Sequence, residues 1–187
     1  MRIGLALSLL VLLVSPACFA DKGDAEDGGA AGAGSVEGTF SDPWAYCAAV
    51  GTVDAPDEHY AGEAVPVAVA EGIRFATGAS ADAPLEFFTT GTTWRCMDGE
   101  VYACTVGANL PCDARAETSD QPTQEMVEFC RADPQADAIP AVVTGRETVF
   151  AWVCEDGAPV ADAQVFHPDE RGYLAEIWYE LDAPAGG

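Results

Sequence analysis

The chain has 187 residues and a strongly negative balance, with 31 Asp and Glu against 8 Lys and Arg and a formal net charge of −23. Binding a polyanion requires a basic surface, so this composition excludes nucleic acid as a partner and disfavours anionic lipid surfaces. A cationic partner, such as another extracytoplasmic protein, is compatible with the charge, although net charge bears first on solubility and association rate.

The first 20 residues have the pattern of a secretory signal peptide, in which Arg2 precedes a short apolar run and small residues stand at Cys18 and Ala20. Cleavage before Asp21 would release an exported domain, either periplasmic or extracellular. The alternative is a lipoprotein, in which an acylated Cys18 anchors the protein to the outer envelope. No later stretch reaches the ~20 apolar residues of a transmembrane helix, so we expect no integral membrane segment.

Residues 21–38 are rich in Asp, Glu, Gly and Ala and contain no aromatic residue. Such a segment cannot bury enough apolar surface to offset its loss of conformational entropy, so we predict a disordered acidic linker. The remainder, residues 39–187, holds all four tryptophans and has the length of one domain. The sequence therefore predicts a signal peptide, a linker and a single folded domain.

Six of the seven cysteines lie in this domain. They are Cys47, Cys96, Cys104, Cys112, Cys130 and Cys154. An even number in an exported chain predicts three disulfides, among the fifteen connectivities that six cysteines allow. The close C-x₂₋₄-C pairs of zinc sites and the C-x-x-C redox motif do not occur, so we expect a structural role, with no metal and no cofactor. We predict the pairs Cys112–Cys130, Cys96–Cys154 and Cys47–Cys104.

The strongest local signal is Asp98-Gly99, flanked by alternating apolar residues, which predicts a β-hairpin with a type I′ turn. In that register one face carries Trp94, Cys96, Val101 and Ala103. The other face carries Arg95, Tyr102 and Cys104. Because alternate residues of a strand point to opposite sides, Cys96 and Cys104 point apart and should not bond to each other.

The pattern W-x-C-x-D-G of this hairpin recurs 58 residues later, from Trp152 to Gly157. The same turn chemistry predicts a second hairpin there. Two copies are too few for a solenoid, which needs about three stacked units, so we interpret them as a duplicated hairpin inside one domain.

The other segments predict a mixture of helices and strands. Helices are predicted at Pro43–Val50 after an Asp42 cap, at Ala64–Ala76, and at Thr123–Arg131 after an Asp120 cap. Strands are predicted at Leu85–Phe88, Ala138–Val143, Thr148–Cys154, Pro159–Phe166 and Leu174–Leu181. Together these elements predict an α+β fold, with an antiparallel sheet of hairpins, two or three short helices and stabilising disulfides.

Few side chains indicate catalysis. The two histidines, His59 and His167, stand in polar, turn-like settings, and the sequence has no G-x-S-x-G, H-E-x-x-H, P-loop or EF-hand motif. We therefore lean against an enzyme. Two acidic clusters are weak calcium candidates, although neither has an EF-hand spacing. They are Asp54, Asp57 and Glu58, and Glu155, Asp156 and Asp162.

Three residues are candidates for ligand binding: Arg95, Tyr102 and Arg146. Arginine is scarce in this chain, and its planar guanidinium can bind a carboxylate of a ligand in a bidentate manner. The alternative is a salt bridge to one of the many acidic side chains.

The stretches YCAAVGTVDAPD, WRCMDGEVYACTVGANLPC and IPAVVTGRETVFAWVC resemble a group of uncharacterised bacterial exported proteins. The resemblance covers most of the chain after the linker and implies export and a shared architecture, but no activity and no functional residue. We expect a binding protein or an envelope-associated interaction protein. The alternatives are an extracytoplasmic hydrolase and a calcium-binding structural protein.

The export prediction is tested by the intact mass of the native protein, measured from separated membrane and soluble fractions of the source cells. We expect a soluble species that begins at Asp21 and gains about six mass units on reduction, because each of three disulfides takes up two hydrogens. A membrane-bound species with acyl mass on Cys18 would instead establish the lipoprotein.

Overall fold

Two β-hairpins frame the fold, and the computed structural model describes them within residues 37–108 and 110–185. The strands are β1 (Thr92–Met97), β2 (Glu100–Thr105), β3 (Phe150–Glu155) and β4 (Ala158–Gln164). β1 pairs with β2 and β3 with β4, both antiparallel. Both turns have positive φ at their central residues: 54° and 89° at Asp98 and Gly99, and 50° and 80° at Asp156 and Gly157. Both predicted hairpins are confirmed.

Five α-helices lie in the described residues. They are α1 (Pro43–Val50), α2 (Val67–Ala76), α3 (Leu85–Gly91), α4 (Gln124–Ala132) and α5 (Ala141–Thr144). The predictions of α1, α2 and α4 are confirmed. Asp42 caps α1 as expected, because its carboxylate accepts a hydrogen bond from Ala45 N at 2.8 Å. The cap of α4 is Thr123, which accepts from Met126 N at 3.3 Å; the predicted cap, Asp120, lies three residues too early.

Two segments that were predicted as strands are helical. Leu85–Phe88 belongs to α3, and the predicted strand Ala138–Val143 leads into the short helix α5. Each helix follows a proline at its N-cap, Pro84 or Pro140, with φ of −56° and −63°. A proline at this point removes no intrahelical hydrogen bond. Because a short apolar run fits a strand and a helix equally well, the proline was the signal that decides.

The strands form two antiparallel sheets. β5 (Tyr179–Leu181) joins the first hairpin in the order β1-β2-β5, while β3 and β4 make a sheet of their own. The predicted strand Leu174–Leu181 begins as a 3₁₀ helix at Ala175–Ile177 and becomes β5 only at its end. The disulfide-stabilised α+β fold on antiparallel strands is confirmed, with two sheets in place of one.

The first hairpin presents its two faces to two different cores, as its register predicts. Trp94 pairs with Ala103 and Arg95 with Tyr102 across the strands. The Trp94 face packs against α1 and α2 in a core that includes Tyr46, Cys47, Val69, Ala70 and Ile73. The Arg95 face packs into a second core that includes Cys104, Cys112, Tyr173, Leu174, Ile177 and Trp178. A third core, around the second hairpin, includes Met126, Cys130, Ile139, Trp152 and Cys154.

All six cysteines of the domain form disulfides, but the predicted pairing is wrong. The bonds are Cys47–Cys96, Cys104–Cys112 and Cys130–Cys154. Each bond lies inside one of the three cores, whereas each predicted pair would join cysteines of two different cores. The rejected pairs are Cys112–Cys130, Cys96–Cys154 and Cys47–Cys104. Two of the observed bonds tie a helix to the first strand of the next hairpin, α1 to β1 and α4 to β3.

The hairpins belong to a larger repeat that includes the preceding helix. We call residues 43–105 the first repeat and residues 124–164 the second repeat. Their first strands begin and end 58 residues apart, and in each a helix cysteine bonds to the strand cysteine of W-x-C-x-D-G. The equivalence therefore extends beyond the turn that the sequence signals.

Backbone hydrogen bonds show the same correspondence. In each repeat the turn glycine donates to the carbonyl four residues after the helix cysteine: Gly99 N to Gly51 O at 3.0 Å, and Gly157 N to Pro134 O at 3.1 Å. The backbone N–H of the strand cysteine donates to the carbonyl two residues after that one: Cys96 N to Val53 O at 3.1 Å, and Cys154 N to Ala136 O at 2.9 Å. The chain that leaves each helix is thus fixed along the edge of its hairpin.

The predicted signal peptide at residues 1–20, Cys18, and the linker up to residue 36 lie outside the described residues. The described residues belong to one compact unit, Val36–Gly187. Within the described ranges, no helix combines the length and the apolar composition needed to cross a membrane.

Loss of the Cys47–Cys96 bond should destabilise the fold more than loss of Cys104–Cys112. In the chain-entropy model the loss grows with the loop that a bond closes, and these two bonds span 49 and 8 residues. We expect the free energy of unfolding to fall by about 4 kcal/mol when Cys47 and Cys96 are both replaced by alanine, and by about 2.5 kcal/mol when Cys104 and Cys112 are. Guanidinium unfolding beside the wild type measures both, and equal losses would contradict the dependence on loop length.

Candidate functional site

Arg95, the first candidate for ligand binding, lies in the protein interior. Its side chain is 1% exposed, and Nη2 donates to the carboxylate of Asp169. The guanidinium carbon lies 4.5 Å from the ring centre of Tyr173 and 4.1 Å from that of Trp178. Nε and Nη1 have no hydrogen-bond acceptor among the described residues, so the faces of the two rings stabilise this side of the cation. Arg95 therefore packs in the second core and binds Asp169, Tyr173 and Trp178 to the first hairpin.

The ion pair of Arg95 fixes the segment that covers the first hairpin. We call residues 169–178 the cover segment. The carboxylate of Asp169 also accepts from Arg171 N at 2.8 Å and from Tyr173 N at 3.0 Å. These bonds close a turn at the start of the segment and set Tyr173 and Trp178 over the Arg95 face.

Tyr102, the second candidate, is bonded across the sheet to β5. Its hydroxyl donates to the carboxylate of Glu180 at 2.7 Å. This hydrogen bond, together with partial burial and the charge of Glu180, raises the pKa of Tyr102 to about 12. Arg146, the third candidate, is exposed and lines a cavity, and its backbone N donates to the Glu147 carboxylate at 2.9 Å.

The first acidic cluster is engaged by basic and hydroxyl side chains. Asp54 accepts from Arg171 Nε at 2.8 Å and from Arg115 Nη2 at 2.7 Å. Hydrogen bonding to Arg171, followed by that to Arg115, lowers the pKa of Asp54 to about 2. Asp57 binds His59 Nδ1 at 3.1 Å. Across the described part of the chain, no group of three His, Cys, Asp or Glu side chains is arranged to hold a metal ion.

A cavity of about 560 Å³ lies at the second hairpin. We call it the β3 cavity. Its apolar wall includes Leu110, Ile139, Phe150, Trp152 and Phe166. Its polar lining includes Asp137, Arg146, Thr148 and Asp162. The Trp152 indole is oriented by a hydrogen bond from Nε1 to Thr148 Oγ1 at 3.2 Å. The arrangement is that of a ligand site, with aromatic walls and a few polar groups.

A second cavity, of about 800 Å³, lies between α3 and the end of β2. Its walls include Phe87, Phe88, Val106 and Leu110, and no charged side chain is among its described lining residues. Although this cavity is larger, its polar lining residues are the uncharged Thr77, Thr90, Thr105 and Tyr179, so we regard the β3 cavity, which also has charged lining groups, as the candidate site.

The repeat explains why a cavity is open at β3. Two of its lining residues, Ala151 and Val153, are the counterparts, 58 residues on, of Thr93 and Arg95. A register shift after Ala151 displaces Asp162, so Ala163 pairs with Ala151 as Cys104 pairs with Thr93. Arg95 and Cys104 are at most 1% exposed because the cover segment lies over them. Thr93 and Ala151 are both half-buried, but Val153 is only half-buried where Arg95 is buried, and Ala163 is exposed where Cys104 is buried. At the positions of Arg95 and Cys104, the face that the cover segment buries in the first hairpin is therefore open in the second.

Comparison of the chain with protein-family models, with curated proteins and with solved structures gives no match. The site rests on its own geometry. Of the candidate residues from the sequence, the β3 cavity brings together Arg146 and Asp162. Phe150, Phe166 and Val153 were missed, although the aligned W-x-C-x-D-G motifs already set Val153 at the position of Arg95.

Asp54 should contribute a pH-dependent part of the stability, which an Asp54→Asn variant would lack. With a pKa lowered to about 2, the ionised Asp54 stabilises the fold fully above pH ~4, and this contribution is lost as the pH falls through about 2. The carboxylate is partly exposed, so we expect about 1 kcal/mol. Urea unfolding at pH 6 and at pH 2 should show that wild type loses about 1 kcal/mol more than Asp54→Asn.

Asp82→Asn, at an exposed aspartate in the loop before α3, is the matched control and should follow the wild type at both pH values. A wild type that loses no more stability than Asp54→Asn would show that the arginine pairs of Asp54 are fully screened by water.

Proposed function

We propose that this protein is an extracytoplasmic binding protein, which holds an apolar ligand at the open face of its second hairpin. Three disulfides favour an oxidising compartment, because thiols are kept reduced in the cytosol. The signal-peptide pattern of residues 1–20 and the resemblance to exported proteins support the same location.

The observation that carries the proposal is the β3 cavity itself. Its volume of about 560 Å³ falls within the range of pockets that bind small molecules or side chains of a partner. Burial of an apolar group there removes both its surface and the surface of the half-buried Phe150 and Phe166 from water, at about 25 cal/mol per Å². The site can therefore bind without supplying strong polar contacts.

The lining of the cavity supports binding over catalysis. Among its described residues there is no histidine, cysteine or serine, and the hydroxyl of Thr148 accepts hydrogen bonds from Trp152 Nε1 and Phe150 N. The two histidines are bonded elsewhere, His59 to Asp57 and His167 Nδ1 to Glu176 at 2.8 Å. A nucleophile beside a general base, as hydrolases require, is not assembled in this cavity.

The neutral fluorescent probe N-phenyl-1-naphthylamine tests the apolar site. We expect the wild type to bind the probe with enhanced fluorescence, and Ala151→Phe to raise its Kd at least tenfold, because the added ring occupies the cavity. Ala158→Phe is the matched control, since Ala158 is exposed on the same hairpin and does not line the cavity. This variant should bind like wild type.

Circular dichroism and thermal unfolding of the three proteins establish that both variants are folded. Probe binding that is the same in wild type and Ala151→Phe would contradict the proposal, because the probe would then bind at another surface, such as the cavity between α3 and β2.

A further inference from the structure

We infer that the ligand of the open face is a polypeptide segment of a partner protein, with aromatic and aliphatic side chains and basic residues beside them. The inference rests on the proposed function and specifies its ligand. It is carried by the internal repeat, because the first hairpin shows what a covered face of this kind contains.

In the first repeat the occupant is the protein's own cover segment. The segment buries four side chains on the hairpin, at 9%, 1%, 4% and 7% exposure. These are Tyr173, Leu174, Ile177 and Trp178. The occupant of the first hairpin is therefore a short peptide with two aromatic and two aliphatic residues. The ion pair between Asp169 and Arg95 attaches the cover segment to the first hairpin.

The corresponding face of the second hairpin is apolar and has no such cover among the residues that the structure describes. Ala151, Val153 and Val160 alternate on this face, are half-buried, and belong to none of the three cores of the described structure. Val153 stands where the first hairpin has Arg95, so an occupant here meets an aliphatic side chain in place of a cation. An acidic anchor like Asp169 would find no equivalent of Arg95, and the occupant has to be held by apolar contacts.

The negative charge around the β3 cavity favours an apolar ligand that also carries basic groups. Asp137 and Asp162 line the β3 cavity beside Arg146, and Glu147 lines the adjoining cavity, so carboxylates outnumber the one basic group. The whole chain carries −23, which attracts a cationic segment at long range and opposes a second copy of the chain. An apolar segment with basic residues would pack on the apolar face and pair with the carboxylates beside it.

Three synthetic peptides built on the cover sequence YLAEIWY test the inference. KYLAKIWYK keeps its apolar residues and adds lysines, and EYLAEIWYE has the same apolar residues with acidic flanks. KYSAKSSSK keeps the lysines and the first tyrosine, but has serine in place of Leu, Ile, Trp and the second Tyr. Each is titrated into the full protein by calorimetry, and by displacement of the naphthylamine probe. We expect KYLAKIWYK to bind at least tenfold more tightly than EYLAEIWYE, and KYSAKSSSK not to bind.

Variants locate the effect. Ala151→Phe should weaken KYLAKIWYK at least tenfold while Ala158→Phe leaves it unchanged. The double variant Asp137→Asn, Asp162→Asn should reduce the preference for lysine over glutamate peptides several-fold, and so should a rise in NaCl from about 0.05 M to about 0.5 M.

Three outcomes would overturn the inference. Equal affinity for the lysine and glutamate peptides would remove the basic requirement. If the protein binds the probe but none of the peptides displaces it, the ligand is a small apolar molecule, and only the proposed function remains. A dimer in sedimentation that Ala151→Phe abolishes would assign the face to a second copy of the chain. Loss of probe binding itself would instead defeat the proposed function.

Discussion

The positive-φ Asp-Gly turn is the constraint on which the rest of the structure depends. Because it fixes the pairing of each hairpin, it decides which side chains enter which core. A slip of one residue would exchange the faces, moving Trp94 out of the core with α1 and α2 and bringing Arg95 into it. There the guanidinium would have neither the Asp169 carboxylate nor the rings that now surround it, at the cost of an unpaired buried charge. The strand cysteines would also face the wrong partners.

Local rules were enough for the hairpins and for most helices, since turn chemistry, alternation and the Asp-Pro cap each act within a few residues. Disulfide pairing was not predictable in this way, because it depends on which core each helix enters. Cys47 and Cys130 lie on helices whose docking the sequence does not state, and the pairs follow once three separate cores are recognised. Pro84 and Pro140 carried a helix-start signal that the strand-like runs after them obscured.

The candidate site arises from a difference between two similar units, and this explains why sequence reasoning found only part of it. Arginine scarcity drew attention to Arg95, which proves to be the buried anchor of the cover segment. The functional contrast is its counterpart, Val153, an ordinary aliphatic residue with no signal of its own. Val153 is accessible because the distant residues 169–178 pack on the first hairpin, where they make a buried ion pair and aromatic contacts with Arg95.

Among the six cysteines of the domain, the three disulfides join consecutive ones: first with second, third with fourth, fifth with sixth. A chain that enters an oxidising compartment from its N-terminus would thus present each cysteine pair before the next pair arrives, and could oxidise them in order of emergence. Non-native bridges would have little opportunity to form, and the slow reshuffling of disulfides would not be required. The order of the cysteines along the chain thus favours the native connectivity over the alternatives during oxidation.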